Sequence, residues 1–86
     1  MKSYIVTFRA DGSIKKALAE KVIKSSPYWC HLLGAHWFIK TDLSAVQIRD
    51  KISPLIGLSG RVVVTAVKRN AALNYISNED FIKSHL

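Results

Sequence analysis

Two histidines beside a tight turn, one cysteine and a set of unevenly distributed cations are the residues of this chain that could do chemistry. His31 and His36 flank Gly34-Ala35. Two imidazoles so placed could share a metal or relay a proton, but across a two-residue turn they need not share a face, and no third ligand or activated nucleophile stands near them. His85 lies in the last residues, and Asp11, Asp42, Asp50, Glu79 and Asp80 fall in expected loops or helix ends, where capping accounts for most of them. There is no Gly-rich phosphate loop, no nucleophile elbow and no HExxH run. Cys30 is the single cysteine, which excludes an internal disulfide and a thiolate cluster for zinc or iron–sulfur; its place in an alternating run makes it a small apolar strand residue. The expectation is no catalytic residue, no metal and no cofactor.

The cations point elsewhere. Thirteen Lys and Arg against six Asp and Glu give a formal charge of +7. Lys2, Arg9, Lys15, Lys16, Lys21, Lys24 and Lys40 precede Asp42 and face only Asp11 and Glu20. Such a field favours a polyanion or an acidic surface as partner, although small proteins are also basic for solubility alone.

These residues must be positioned by elements that the sequence spells out. Tyr28 to Leu33 and His36 to Thr41 are rich in aromatic and aliphatic residues and enclose Gly34-Ala35, with glycine where a type II′ turn requires positive φ. They read as a hairpin. Ser44 has the chemistry of a helix N-cap, Gln47 completes a capping box and Leu43 is placed to staple against Ile48. Ala45, Ile48, Ile52 and Ile56 then recur at helical spacing up to Gly57, with a kink or an early end near Ile52 because of Pro54. Ser3 to Arg9 alternates as a strand. From Ile14 a helix should run to about Ser25 on a stripe of Ile14, Ala17, Leu18 and Val22, stopped by Ser25-Ser26-Pro27. Arg61 to Lys68 is dense in valine and reads as a central or doubly covered strand. After Asn70, AALNYIS could add an edge strand, and Ser77 with Asp80 could cap a last helix, NEDFIKSHL.

The resulting order, β-α-β-β-α-β, predicts one α+β domain over residues 1–86 of ferredoxin-like type, an antiparallel sheet with two helices on one face. Eighty-six residues make a small domain with little stability to spare. No apolar run approaches the roughly 20 residues that span a bilayer, and MKSYIVTFRA alternates unlike a signal peptide. A cytoplasmic protein without membrane contact is expected.

Helices on one face leave half the strand residues on the other. Whichever set that is, it carries large apolar groups, which usually marks an interface. A homodimer packing sheet on sheet through Trp29, His31 and Phe38 is expected. Stacking of Trp29, Tyr28 or Phe38 on bases is the alternative, without a Lys/Arg-Gly-Phe/Tyr run to support it.

The segment WCHLLGAHWFIKTDLSAVQIRDKI resembles the W-x-H-L-x-x-x-W-x-(I/V)-K-T-D-L-S-A-x-x-I-R-D-K-L stretch of the small SinR-like proteins, which are similar in turn to the CRISPR-associated protein two (Cas-two) and its VapD-like relatives. Trp29, His31, Trp37, Lys40 to Ser44 and Ile48 to Lys51 carry the resemblance, which extends from Tyr4 to the terminal helix. It implies a ferredoxin fold, a dimer formed through the sheets, and either nucleic-acid binding or a scaffolding role in an integrase assembly. In the nuclease-type members the first strand ends in an aromatic-Asp pair whose Asp is the proposed Mg²⁺ ligand; here that pair is Phe8-Arg9. A cation repels Mg²⁺ and attracts phosphate. Asp11, beyond the strand, is a poor substitute, and the Asp11-Gly12-Ser13 connection is shorter than the loop usual in such proteins.

The expectation is therefore a non-catalytic homodimeric module that binds nucleic acid or serves as an assembly subunit, with Arg9, Lys15, Lys16, Lys40 and Arg69 as phosphate contacts and no small-molecule substrate. A metal-dependent ribonuclease or deoxyribonuclease, and a protein-interaction subunit that binds no nucleic acid, are the alternatives.

Overall fold

The alternation at the N-terminus becomes strand β1, Lys2–Arg9, in which Tyr4, Val6 and Phe8 are buried and their neighbours are not. The computed structural model describes residues 1–68. Helix α1, Ser13–Lys24, follows β1 without a side-chain cap on Gly12. Strands β2, Tyr28–Leu33, and β3, His36–Thr41, form the hairpin. Gly34 has φ of 48° while no non-glycine residue has positive φ, as a type II′ turn demands. The register shifts between His31 and Leu33, so His31 opposes Trp37 while Leu33 opposes His36. That one-residue slip moves Leu33 to the face opposite His31.

Helix α2, Ala45–Ile52, begins on the capping box: the Gln47 N–H donates to Ser44 Oγ at 3.1 Å and the Ser44 N–H to Gln47 Oε1 at 2.8 Å. It ends where expected, in a 3₁₀ turn Ser53–Leu55 that contains Pro54, and Gly57 turns the chain at φ of 90°. Strand β4, Arg61–Ala66, closes the sheet, and the Val67 N–H still reaches the Ser3 carbonyl at 2.9 Å. All neighbouring strands are antiparallel, in the order β2-β3-β1-β4. This is the ferredoxin-like α+β arrangement.

Ala19 and Ile23 of α1 and Ile48, Ile52 and Ile56 of the α2 region bury against Tyr4, Val6, Phe8, Trp37 and Ile39 of the sheet. Both helices thus cover one face. Tyr4 donates its hydroxyl to the Leu43 carbonyl at 2.8 Å, and the buried Thr41 hydroxyl accepts from the Leu43 N–H at 3.3 Å, so the polar atoms beneath α2 are satisfied.

Two expectations are corrected. The α1 stripe of Ile14, Ala17, Leu18 and Val22 does not face the sheet: Ile14 is 78% exposed, Leu18 46% exposed and Ala17 exposed, while Ala19 and Ile23 are buried and Val22 is half-buried. Apolar residues surround much of this helix, and the small Ala19 lets its side approach the strands closely. β4 is neither central nor doubly covered among the described strands, and Val63 is 58% exposed. Its valines reflect fit to a pleated surface, not burial on both faces. AALNYIS and NEDFIKSHL lie outside the described residues, as do Arg69, Glu79, Asp80 and His85. No helix among the described residues is long and apolar enough to cross a membrane.

Candidate nucleic-acid interface

The end of β1 is where the cations gather, and strand register decides which. Phe8 points into the core, so Arg9 must point to the opposite face. There Arg9 stands directly across from Arg61, the first residue of β4. Cβ atoms of such facing pairs are about 4.5–5.5 Å apart, and like charges in them destabilise a sheet. Neither guanidinium has a carboxylate partner among the described residues. Both are tethered instead to carbonyls of the loop before β4. Arg9 Nη2 donates to Ser59 at 3.1 Å, and Arg61 Nη1 donates to Gly60 at 2.7 Å and to Leu58 at 3.4 Å.

The same loop is gripped from the other side by Asp11, whose N–H donates to the Ile56 carbonyl at 2.9 Å and whose Oδ2 accepts from the Ser59 N–H at 3.0 Å. Asp11 is thus a clasp between the β1–α1 and α2–β4 connections. Its carboxylate holds Ser59 while Arg9 holds the carbonyl of the same residue.

On the helix side of this strand end lies a cleft of about 370 Å³. Its floor is Phe8, Ala10 and Trp37, its far wall is the Gly34-Ala35 turn, and Arg9, Lys16 and His31 line its rim. The turn is fixed to the strand by the Phe8 N–H, which donates to the Ala35 carbonyl at 3.2 Å. His31 is exposed and stacks on Trp37 with ring centroids 4.2 Å apart and planes 17° from parallel. Its Nε2 lies 2.7 Å from the Gly34 carbonyl, an acceptor only, so Nε2 carries the proton. Trp29, 40% exposed, leans on the same Trp37 at 6.0 Å, and Lys24 Nζ sits 5.4 Å from one ring and 5.7 Å from the other. A smaller void of about 110 Å³ between the end of α1 and α2 is walled chiefly by Val22, Ile39, Ile48 and Ile52 and offers little for recognition.

The residues singled out from sequence are only partly brought together. Arg9 and Lys16 meet at the cleft. Lys15 is exposed on α1 but does not line it. Lys40 opposes Ser3, six positions along β1 from Arg9, or about 20 Å at strand rise. Arg69 lies outside the described residues. Trp29 and His31 pair with Ile39 and Trp37 and so lie on the helix face, whereas Phe38 pairs with Ile5 and Cys30 on the opposite face and is buried. The three do not form one patch. His36 also lies on that opposite face, with Nδ1 hydrogen-bonded to the Thr7 hydroxyl at 2.8 Å, so the two histidines are separated by the sheet. Among the described residues no group of three His, Cys, Asp or Glu could hold a metal ion. Burial pushes the Cys30 thiol above its usual pKa, which suits a packed residue and not a nucleophile.

Arg61 was missed from sequence. It reads there as the polar start of a valine strand, and only its register against Arg9, 52 residues earlier, makes it part of a cationic pair.

Compared with protein-family models, with curated proteins and with solved structures, the chain finds no match.

Proposed function

We propose that this chain is a non-catalytic, homodimeric module that binds nucleic acid through its phosphate backbone at the β1 end. The observation that carries the reading is the facing pair Arg9 and Arg61, two guanidinium groups held opposite one another without a carboxylate among the described residues, with Lys16 at the adjoining cleft. A like-charge pair costs the free sheet stability, and an anion placed between the two groups would relieve the repulsion and accept bidentate hydrogen bonds. The excess of cations supports a polyanion as that ligand, and Lys15 is exposed on the neighbouring helix α1. The resemblance of WCHLLGAHWFIKTDLSAVQIRDKI to the SinR-like and Cas-two-like proteins supports the same class. In a metal-dependent nuclease of that kind the end of β1 would need an acid where Arg9 stands, and the Asp11 carboxylate is engaged with Ser59.

The measurement is the salt dependence of binding. Each neutralised phosphate contributes a slope of about −0.7 for a single strand and about −0.9 for a duplex in log affinity against log salt. Replacing Lys16 and Arg61 together by Ala should reduce the slope by about 1.4 to 1.8 and weaken all sequences alike. The variant should melt close to the parent, because the repulsion it removes offsets the exposed Arg61 hydrogen bonds to Leu58 and Gly60 that it loses. If neither DNA nor RNA is retained even at low salt, the reading falls.

The sheet face turned away from the helices supports the dimer through its exposed apolar margin: Ile5 is half-buried there, Tyr28 is 41% exposed and Val63 is 58% exposed, while Phe38 and Cys30 on the same face are buried. Light scattering at micromolar concentration should give twice the 9.6 kDa chain mass; a monomer removes this part of the proposal. A second reading, a subunit that contacts protein only, is favoured by the exposed Ile14 and Leu18 on α1 and takes first place if nucleic acid does not bind.

A further inference from the structure

We infer that the cleft behind Arg9 receives one unpaired nucleotide, so that the module prefers single-stranded nucleic acid to blunt duplex. The inference rests on the nucleic-acid reading above and adds to it the form of the strand. A surface that only follows phosphates can be flat and wholly polar; this one is concave, with an aromatic floor and cations confined to its rim. At about 370 Å³ it falls at the lower end of the range of clefts that enclose small ligands, about 300–1,000 Å³. A stacked base pair cannot enter such a recess, whereas an unpaired base can be splayed from its strand and laid on a ring. Single-strand sites join a cationic track to aromatic platforms in this way.

The parts are in place for both halves of a nucleotide. Lys16, on the first turns of α1, and Arg9, at the end of β1, flank the mouth from two elements. Lys16 would hold the phosphate of the bound nucleotide. The guanidinium of Arg9, held by the Ser59 carbonyl on the opposite face beside Arg61, would take a neighbouring phosphate of the same strand and, being oriented beforehand, loses less freedom on binding. The exposed His31 ring, supported by Trp37 at 4.2 Å and tied to Gly34, is a rigid ledge for the base. Nothing on this ledge reads a base edge by a converging set of donors and acceptors, so the preference is for unpaired strands without a sequence.

The test uses the two tryptophans. Trp29→Phe leaves Trp37 as the only one, and titration of that chain with oligo(dT) should quench Trp37 emission saturably. A blunt duplex of matched length should bind without the quench. His31→Ala should lower single-strand affinity about tenfold, within the range for losing one stacked base, and leave duplex affinity within about twofold; His31→Phe, which keeps a ring, should restore it. Matching circular dichroism and melting show that the variants are folded. Equal affinity for both forms, with His31→Ala affecting neither, overturns this inference and leaves backbone binding standing. Failure of both forms to bind overturns the nucleic-acid reading itself, and the cleft with it.

Discussion

Replacing Ile52 by Ala should cost about 2–5 kcal/mol, the range for truncating a fully enclosed isoleucine. Ile52 has no exposed surface and sits in the last turn of α2, in the cluster that joins α1, α2 and β1. A domain of this length has only about 4–13 kcal/mol in total, at roughly 0.05–0.15 kcal/mol per residue, so the variant loses a large share of its stability. A melting temperature lower by about 10 °C or more is expected. Ile52→Val, which removes one methyl group, should cost about 0.5–1.5 kcal/mol. Ile14→Ala is the contrast. Ile14 is 78% exposed, and the substitution should stay within about 0.5 kcal/mol of the parent. If Ile14→Ala destabilised as much as Ile52→Ala, α1 would present its other stripe to the sheet and the packing described for it would be wrong.

Gly57→Ala should be strongly damaging although it lies outside the core. Its φ of 90° is strained for any residue with a Cβ, at about 1–3 kcal/mol, and a Cβ there would run into the Asp11 carboxylate. Moving Asp11 breaks its bond to the Ser59 N–H, and Ser59 is also the residue that tethers Arg9. The substitution should therefore lower both stability and nucleic-acid affinity. Gly34→Ala separates the two causes, because Gly34 also has positive φ but nothing lies within 4 Å of the added carbon. It should show the backbone cost alone. In an Asp11→Ala background the carboxylate is gone and only the Cβ of residue 11 stays close, at 2.9 Å, so Gly57→Ala should cost less than in the parent; strict additivity of the two substitutions in a double-mutant cycle would mean that they do not touch.

What was legible in the sequence is what is decided within a few residues. The II′ turn at Gly34, the Ser44–Gln47 box, the end of α2 before Pro54 and the reversal at Gly57 are all set by local geometry. The element order followed from them. The α1 face was not legible, since apolar residues on several sides of one helix leave the choice to the sheet it meets. That β4 is outermost among the described strands was hidden because valine density reports strand propensity and not coverage. The site itself was half visible: Arg9 and Lys16 stood out as cations, but Arg61 joins them only through a β1–β4 ladder that spans most of the chain. His31 comes to the helix side because its pairing with Trp37 is fixed before the register slips at Leu33, a detail without an evident sequence signal.

The central place of β1 has a consequence for the chain while it is being made. β1 emerges first and pairs with β3 once the hairpin exists, but its other edge has no strand until β4, some fifty residues later, has been synthesised. During that interval the edge of Tyr4-Ile5-Val6-Thr7-Phe8 is open, an apolar, β-prone run of the kind that recruits other chains. Lys2 and Arg9 stand at its two ends. Charges flanking an unavoidable apolar strand act as gatekeepers against aggregation. Arg9 thus protects the nascent chain before Arg61 arrives to stand opposite it.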